Sequence, residues 1–123
     1  MNLKEIILVF IGGGSGSLVR YSLSKLITTI YPTLFPLATL VINSLASLIL
    51  GLFLGLTFKS FQNSDLKLLV AVGFCGGFST FSTFSNETLI LFRIGQSQMA
   101  VLNIILSLVI CIGATYLGYL LTE

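Results

Sequence analysis

Apolar residues fall in four long blocks along the chain, at about residues 5–30, 36–58, 66–95 and 97–121, separated by short polar or proline-containing breaks. A helix rising about 1.5 Å per residue needs about 20 residues to cross a hydrocarbon core about 30 Å thick. Each block therefore predicts one transmembrane helix. Between the first two, Tyr31-Pro-Thr-Leu-Phe-Pro36 forms a connector whose prolines stop one helix and start the next. A polar loop from Lys59 to Lys67, holding Gln62, Asn63, Ser64 and Asp65, precedes the third block. The pattern predicts an all-α membrane protein, a single four-helix domain over residues 1–123.

The third block departs from an ordinary membrane helix. Residues 73–87 read Gly-Phe-Cys-Gly-Gly-Phe-Ser-Thr-Phe-Ser-Thr-Phe-Ser-Asn-Glu. Gly73, Gly76 and Gly77 weaken a helix, because glycine costs about 1 kcal/mol relative to alanine in a helix interior. Ser79, Thr80, Ser82, Thr83, Ser85 and Asn86 follow, interleaved with Phe78, Phe81 and Phe84. In hydrocarbon every freed backbone group needs a partner, so a broken helix persists only where protein or a wet cavity surrounds it. This predicts a broken third helix at the functional centre; the competing reading is a kinked helix packed through small residues.

Small and polar residues also recur every four positions elsewhere. The first span has Gly12, Gly16, Arg20, Ser24 and Thr28, the second Thr39, Asn43, Ser47, Gly51 and Gly55, and the fourth Asn103, Ser107, Cys111, Thr115 and Tyr119. Such a line drifts by about 40° per step, so each stripe winds around its helix and no single neighbour covers it all. Gly51-x-x-x-Gly55 has the spacing that lets two helix backbones approach. Close packing accounts for most of these residues. Asn43 and Arg20 are expensive in hydrocarbon and mark a pathway or a buried partner.

Composition agrees with the membrane assignment. The chain is 55% hydrophobic and 8% charged, against about 25% charged in soluble domains, and its mean hydropathy is +1.07. Lys4 before an apolar run raises the question of a cleaved leader; the interruption at Gly12-Gly13-Gly14 and the continuation through Arg20 favour a retained helix. With alternating spans, Lys4, Lys59 and Lys67 lie on one side and Arg20, Lys25 and Arg93 on the other. The basic bias that fixes orientation is thus absent, which predicts insertion both ways unless one subtle charge decides, and a chain inserted both ways can pair as an antiparallel C2 homodimer.

Catalytic chemistry finds no support, and no enzyme is expected. Histidine is absent, which removes the commonest general base and metal ligand. No two of the acids Glu5, Asp65, Glu87 and Glu123 stand at a spacing useful for catalysis, and Cys75 and Cys111 lack metal-ligand spacing. Gly12-Gly13-Gly14-Ser15-Gly16 lacks the strand and the Lys-Ser/Thr ending of a phosphate loop. Transport is better supplied: Asn43, Ser82, Thr83 and Ser107 offer neutral donors, and the phenyl rings offer electropositive edges as well as packing bulk. Neutral donors without a membrane-centre carboxylate suit a small anion. A proton-coupled multidrug exporter would need a deep titratable carboxylate, and a purely structural subunit would leave Asn43 and the broken span unexplained.

These words in this order resemble the Fluc (CrcB) fluoride channel family. Gly12-Gly13-x-x-Gly16-x-x-x-Arg20-Tyr21, Thr39-Leu40-x-x-Asn43 and the Gly73–Glu87 run carry the resemblance over nearly the whole chain. Ala38 and Ala46 stand where the family pattern has glycine, and Ser79 where threonine is usual. The resemblance implies a dual-topology antiparallel homodimer with two fluoride pores in a bacterial plasma (inner) membrane, exporting fluoride left behind by entering HF. It implies fluoride contacts by Asn43, Phe81 and Phe84, a polar track through Ser82 and Thr83, and a contribution from Ser107. It further implies a central structural sodium ion (Na+) on the Gly76 and Ser79 carbonyls. Fluoride, the lipid bilayer and a second copy of the chain are the expected partners, with no nucleic acid.

Overall fold

The computed structural model describes residues 2–60 and 64–123, so Gln62 and Asn63 of the expected polar loop lie outside the described residues. Helix α1 spans Leu3–Ile30 and α2 spans Leu37–Ser60. Helix α3 starts at Ser64–Leu66, continues through wider π-type turns over Lys67–Cys75, and closes with Gly76–Phe78. After a two-residue gap, α4 covers Phe81–Arg93 and α5 covers Ser97–Thr122. Four stretches are long and apolar enough to cross a membrane: Leu3–Ile30, Leu37–Leu56, Ser64–Arg93 and Ser97–Thr122. The chain is a multi-pass membrane protein, and these helices begin and end within a few residues of the apolar blocks.

Local signals set the helix ends. Asn2 and Glu5 form a capping box: the Asn2 side chain accepts from the Glu5 N–H at 2.9 Å, and the Glu5 carboxylate accepts from the Asn2 N–H at 2.8 Å. Helix α4 ends where Gly95 takes a left-handed conformation, φ 80°. There the Gln96 N–H bonds back to the Leu91 carbonyl at 2.8 Å, a helix stop that glycine supplies without a Cβ penalty.

The helices pack as two close pairs, α1 against α3 and α2 along α5, with α4 resting mainly on α5. Glycine makes both close approaches possible. A Cβ on Gly77 would collide with the Gly13 backbone, and one on Gly51 would collide with the Thr115 backbone, so the spacing of small residues serves helix contact as expected. Gly73 and Gly77 therefore remain helical and act in packing against α1, and the chain opens just beyond them. Between the pairs, Ile42, Ala46 and Phe78 form a buried cluster joined by Leu23, Ile49 and Phe74. Ala46 is 2% exposed and Ala38 6%, so both alanine methyls are absorbed into the interior. Large apolar side chains are exposed along every helix, Phe10, Leu45, Val72, Leu89 and Val109 among them, as a lipid or protein-covered surface requires.

Apart from Arg20 and Glu87, the charged residues sit toward the helix ends. Lys4 pairs with Asp65, tying the start of α1 to the start of α3. Lys25 and Arg93 are exposed near the opposite ends of α1 and α4.

Candidate functional site at the helix break

The break itself consists of Ser79 and Thr80. Both are extended, with ψ 160° and ψ 114°, and the polar side chains around them account for the backbone groups set free. Ser79 stays attached to α3, its N–H and its hydroxyl both donating to the Cys75 carbonyl, at 3.0 and 2.9 Å. Thr80 caps α4, its hydroxyl oxygen accepting from the Thr83 N–H at 3.2 Å, as an N-cap threonine does.

Asn43, on α2, closes the opening from the side. Its Nδ2 donates to the Thr80 carbonyl at 3.1 Å, and its Oδ1 accepts from the Thr80 N–H at 2.8 Å. One amide thus replaces both halves of the lost helical ladder at this residue. Arg20, on α1, treats the end of α3 likewise: Nε donates to the Gly77 carbonyl at 3.0 Å, with Ser17 Oγ also directed there at 3.5 Å. A cation at a helix C-terminus meets the negative end of the helix dipole. The two residues costly in hydrocarbon are the two that repair the break.

A cavity of about 250 Å³ lies against the break. Asn43, Ser79, Phe81, Phe84 and Ser107 line it, with Ser47, Cys111 and apolar neighbours completing the wall. Among the described residues, no Asp, Glu, Lys or Arg lines it. Phe81 and Phe84 stand with ring centroids 5.5 Å apart and planes tilted by 44°. Phe78, three residues earlier and at the same spacing, is 3% exposed and belongs to the buried cluster. The extended residues reset the helical phase, so the three phenyl rings do not share a face.

Ser82 and Thr83 fall elsewhere. Ser82 is exposed, with its hydroxyl 3.2 Å from that of Thr80. Thr83 lines a second cavity, of about 160 Å³, together with Arg20, Tyr21, Ser24, Thr39 and Thr80. Thr80 belongs to both linings, which makes it the residue between the two spaces. A third hollow, of about 170 Å³, holds Gly76 and Ser79 with Ala46, Ser47, Leu50, Ala71 and Cys75. Gly76 is exposed, and nothing lies within 4 Å of where its Cβ would be.

Two buried polar arrangements were not readable from residue type alone. Thr39 donates to Glu87 Oε1 at 2.9 Å, while Glu87 Oε2 is buried without a hydrogen-bond partner among the described residues. Asn103, Thr88 and the Phe84 carbonyl form a chain of hydrogen bonds between α5 and α4. The four-residue stripe pointed to Asn103; nothing local pointed to Thr88 as its partner.

Comparison with known proteins agrees with the motifs. The family described as "CrcB-like protein, Camphor Resistance (CrcB)" matches residues 7–119. A protein of Pyrococcus abyssi named "Fluoride-specific ion channel FluC" is 45% identical over 100% of this chain and 99% of its own length. Proteins of the same name from Azobacteroides pseudotrichonymphae and a Shewanella species are 43% and 39% identical, covering 98% and 94% of both chains. With the helix break, its Asn43 closure and the cavity in place, the match over almost every residue is decisive: the chain belongs to the CrcB family.

Proposed function

We propose that this protein is a fluoride-selective channel, and not an enzyme, giving passive export of cytoplasmic fluoride. The observation that carries the reading is the cavity at the break, where the Asn43 amide, two phenyl rings and the Ser107 hydroxyl meet without a formal charge. An anion there is held by neutral donors and ring edges, and faces the N-terminal end of α4, which carries partial positive charge. The absence of a carboxylate from that lining argues against proton-coupled cation export. The relatives named "Fluoride-specific ion channel FluC" support fluoride as the ion. Asn43, Phe81, Phe84 and Ser107 are the proposed ion contacts. Ser82 and Thr83 would continue the path on the other side of Thr80. Fluoride and chloride efflux compared in one proteoliposome preparation tests this reading.

The proposed assembly is an antiparallel homodimer with two pores in the plasma membrane of a microbial cell. The exposure of Phe81, 77% on a single chain, supports it, because an ion-path ring needs a covering surface. The weak basic bias, three against two once Arg20 is taken up at the break, supports dual insertion. A tag at one terminus should then be labelled from both sides of the membrane, and one-sided labelling defeats the arrangement.

A sodium ion between the two breaks fits the residues present. Gly76 is open above its Cα, and among the described residues no carboxylate lines the hollow around it and Ser79. Carbonyl oxygens of Gly76 and Ser79 from two chains would hold a hard monovalent cation, and neutral oxygens suit sodium better than calcium, which recruits acids. Its charge would lower the cost of bringing an anion into the bundle.

A further inference from the structure

Asn103 is 1% exposed, an amide fully enclosed in a membrane bundle. Its Nδ2 donates to Thr88 Oγ1 at 2.9 Å, and Thr88 Oγ1 donates in turn to the Phe84 carbonyl at 2.7 Å. On the other side, Ser107 Oγ reaches Asn103 Oδ1 at 3.5 Å. Thr88 is 8% exposed and Ser107 9%, so the whole chain of groups is shielded. Both ends of this chain, Phe84 and Ser107, line the cavity at the break, while Asn103 and Thr88 do not.

A threonine inside a helix commonly bonds back to the carbonyl four residues earlier, and that bond concerns its own helix only. Here the same hydroxyl oxygen also accepts from a neighbouring helix, so the backbone of α4 is coupled to a side chain of α5. The coupling matters because α4 is only 13 residues long and is cut off from α3 by the extended pair Ser79–Thr80. Its position depends on what it rests against, and within the chain that is chiefly α5. A slide by one residue would move α4 by about 1.5 Å and turn its side chains by about 100°, carrying Phe81 and Phe84 off the cavity. Apolar contact alone would tolerate such slippage, whereas a buried polar pair is satisfied in one register only.

We propose that Asn103 and Thr88 are positioning residues that lock the register of α4 on α5, holding the Phe84 ring and the Ser107 hydroxyl in fixed relation across the ion path. The proposal rests on the reading of the cavity at the break as that path.

Four variants test it: Thr88→Ser, Thr88→Val, Asn103→Leu and the Thr88→Val/Asn103→Leu pair, each compared with the unmodified chain in proteoliposomes. Thr88→Ser keeps the hydroxyl and keeps fluoride efflux close to that of the unmodified chain. Thr88→Val and Asn103→Leu each lower fluoride efflux by about tenfold or more, since a misplacement of about 1 Å can cost up to about a hundredfold, and narrow the preference over chloride. The pair puts apolar groups opposite each other, which removes the unsatisfied polar atoms between positions 88 and 103 and leaves only the Ser107 hydroxyl, at the cavity wall, without its long contact. It regains the thermal midpoint and assembly of the unmodified chain while efflux stays low. Efflux that recovers together with stability in the pair, or a Thr88→Val variant with unchanged efflux, overturns the lock. If the single variants fail to fold, the pair and Thr88→Ser decide. Hydrogen exchange at the α4 amides reads the lock without reference to transport, rising in the pair and unchanged in Thr88→Ser. Unaltered exchange in the pair overturns the lock even if the unmodified chain carries no fluoride, a result that would instead fail the channel reading.

Discussion

Asn43 and Thr80 exchange two hydrogen bonds across 37 residues of sequence, amide N–H to carbonyl and backbone N–H to amide oxygen. The side chain is thus both a wall of the cavity and the closure of the break beside it. In hydrocarbon an unpaired backbone group costs several kcal/mol, so the break and the asparagine stabilise each other.

Asn43→Asp should therefore damage the protein twice. A carboxylate cannot donate to the Thr80 carbonyl, leaving two acceptors face to face, and its charge repels an anion at short range. Fluoride efflux should fall by about tenfold or more, equivalent to about 1.4 kcal/mol at the barrier, with a drop in thermal midpoint. Flux and melting measured on the same preparation check this; a variant unchanged in both contradicts it.

Phe81 and Phe78 should separate function from stability. Phe81→Ile fills space without an electropositive edge and should slow fluoride severely, with the midpoint little changed. Phe78→Ala opens the buried cluster and should cost about 3–5 kcal/mol of stability. Denaturation curves and efflux together read the difference, and equal midpoints would return both rings to the same packing role.

Arg20 should behave as a cap of α3. Arg20→Leu leaves the Gly77 carbonyl with only the more distant Ser17 hydroxyl, a loss of about 1.5–3 kcal/mol for a bond to a charged donor. Arg20→Lys should recover part of this, since an ammonium can reach a carbonyl but lacks the planar fork. A leucine variant as stable as the unmodified chain would remove the capping role.

These residues show how far the sequence carries the structure. Four apolar blocks are enough to place four spans, because hydrocarbon thickness dictates length. The interruption of the third block is legible for the same reason: hydroxyl side chains and glycines in lipid need an explanation. Asn43 and Arg20 stand out by cost, but their partners lie 37 and 57 residues away, and no local rule identifies them. The phenyl rings at 78, 81 and 84 look equivalent in helical phase; two extended residues, invisible in that periodicity, put Phe78 in the interior and leave Phe81 exposed. Gly73 and Gly77 read as helix weakeners, yet they remain in the helix because α1 needs their missing side chains.

If the proposed dimer holds a sodium ion between its two breaks, exchanging sodium for a bulky organic cation should weaken assembly and lower fluoride efflux together, because neutral carbonyls brought together there would repel one another without a cation. Assembly and efflux that both persist unchanged would remove the ion from the account.

Efflux from proteoliposomes loaded with equal fluoride and chloride and holding the purified protein separates a fluoride channel from its rivals. Rapid, passive fluoride release with no imposed proton gradient is expected, while chloride stays behind. Comparable release of both anions, or fluoride release only when a proton gradient is imposed, would contradict it.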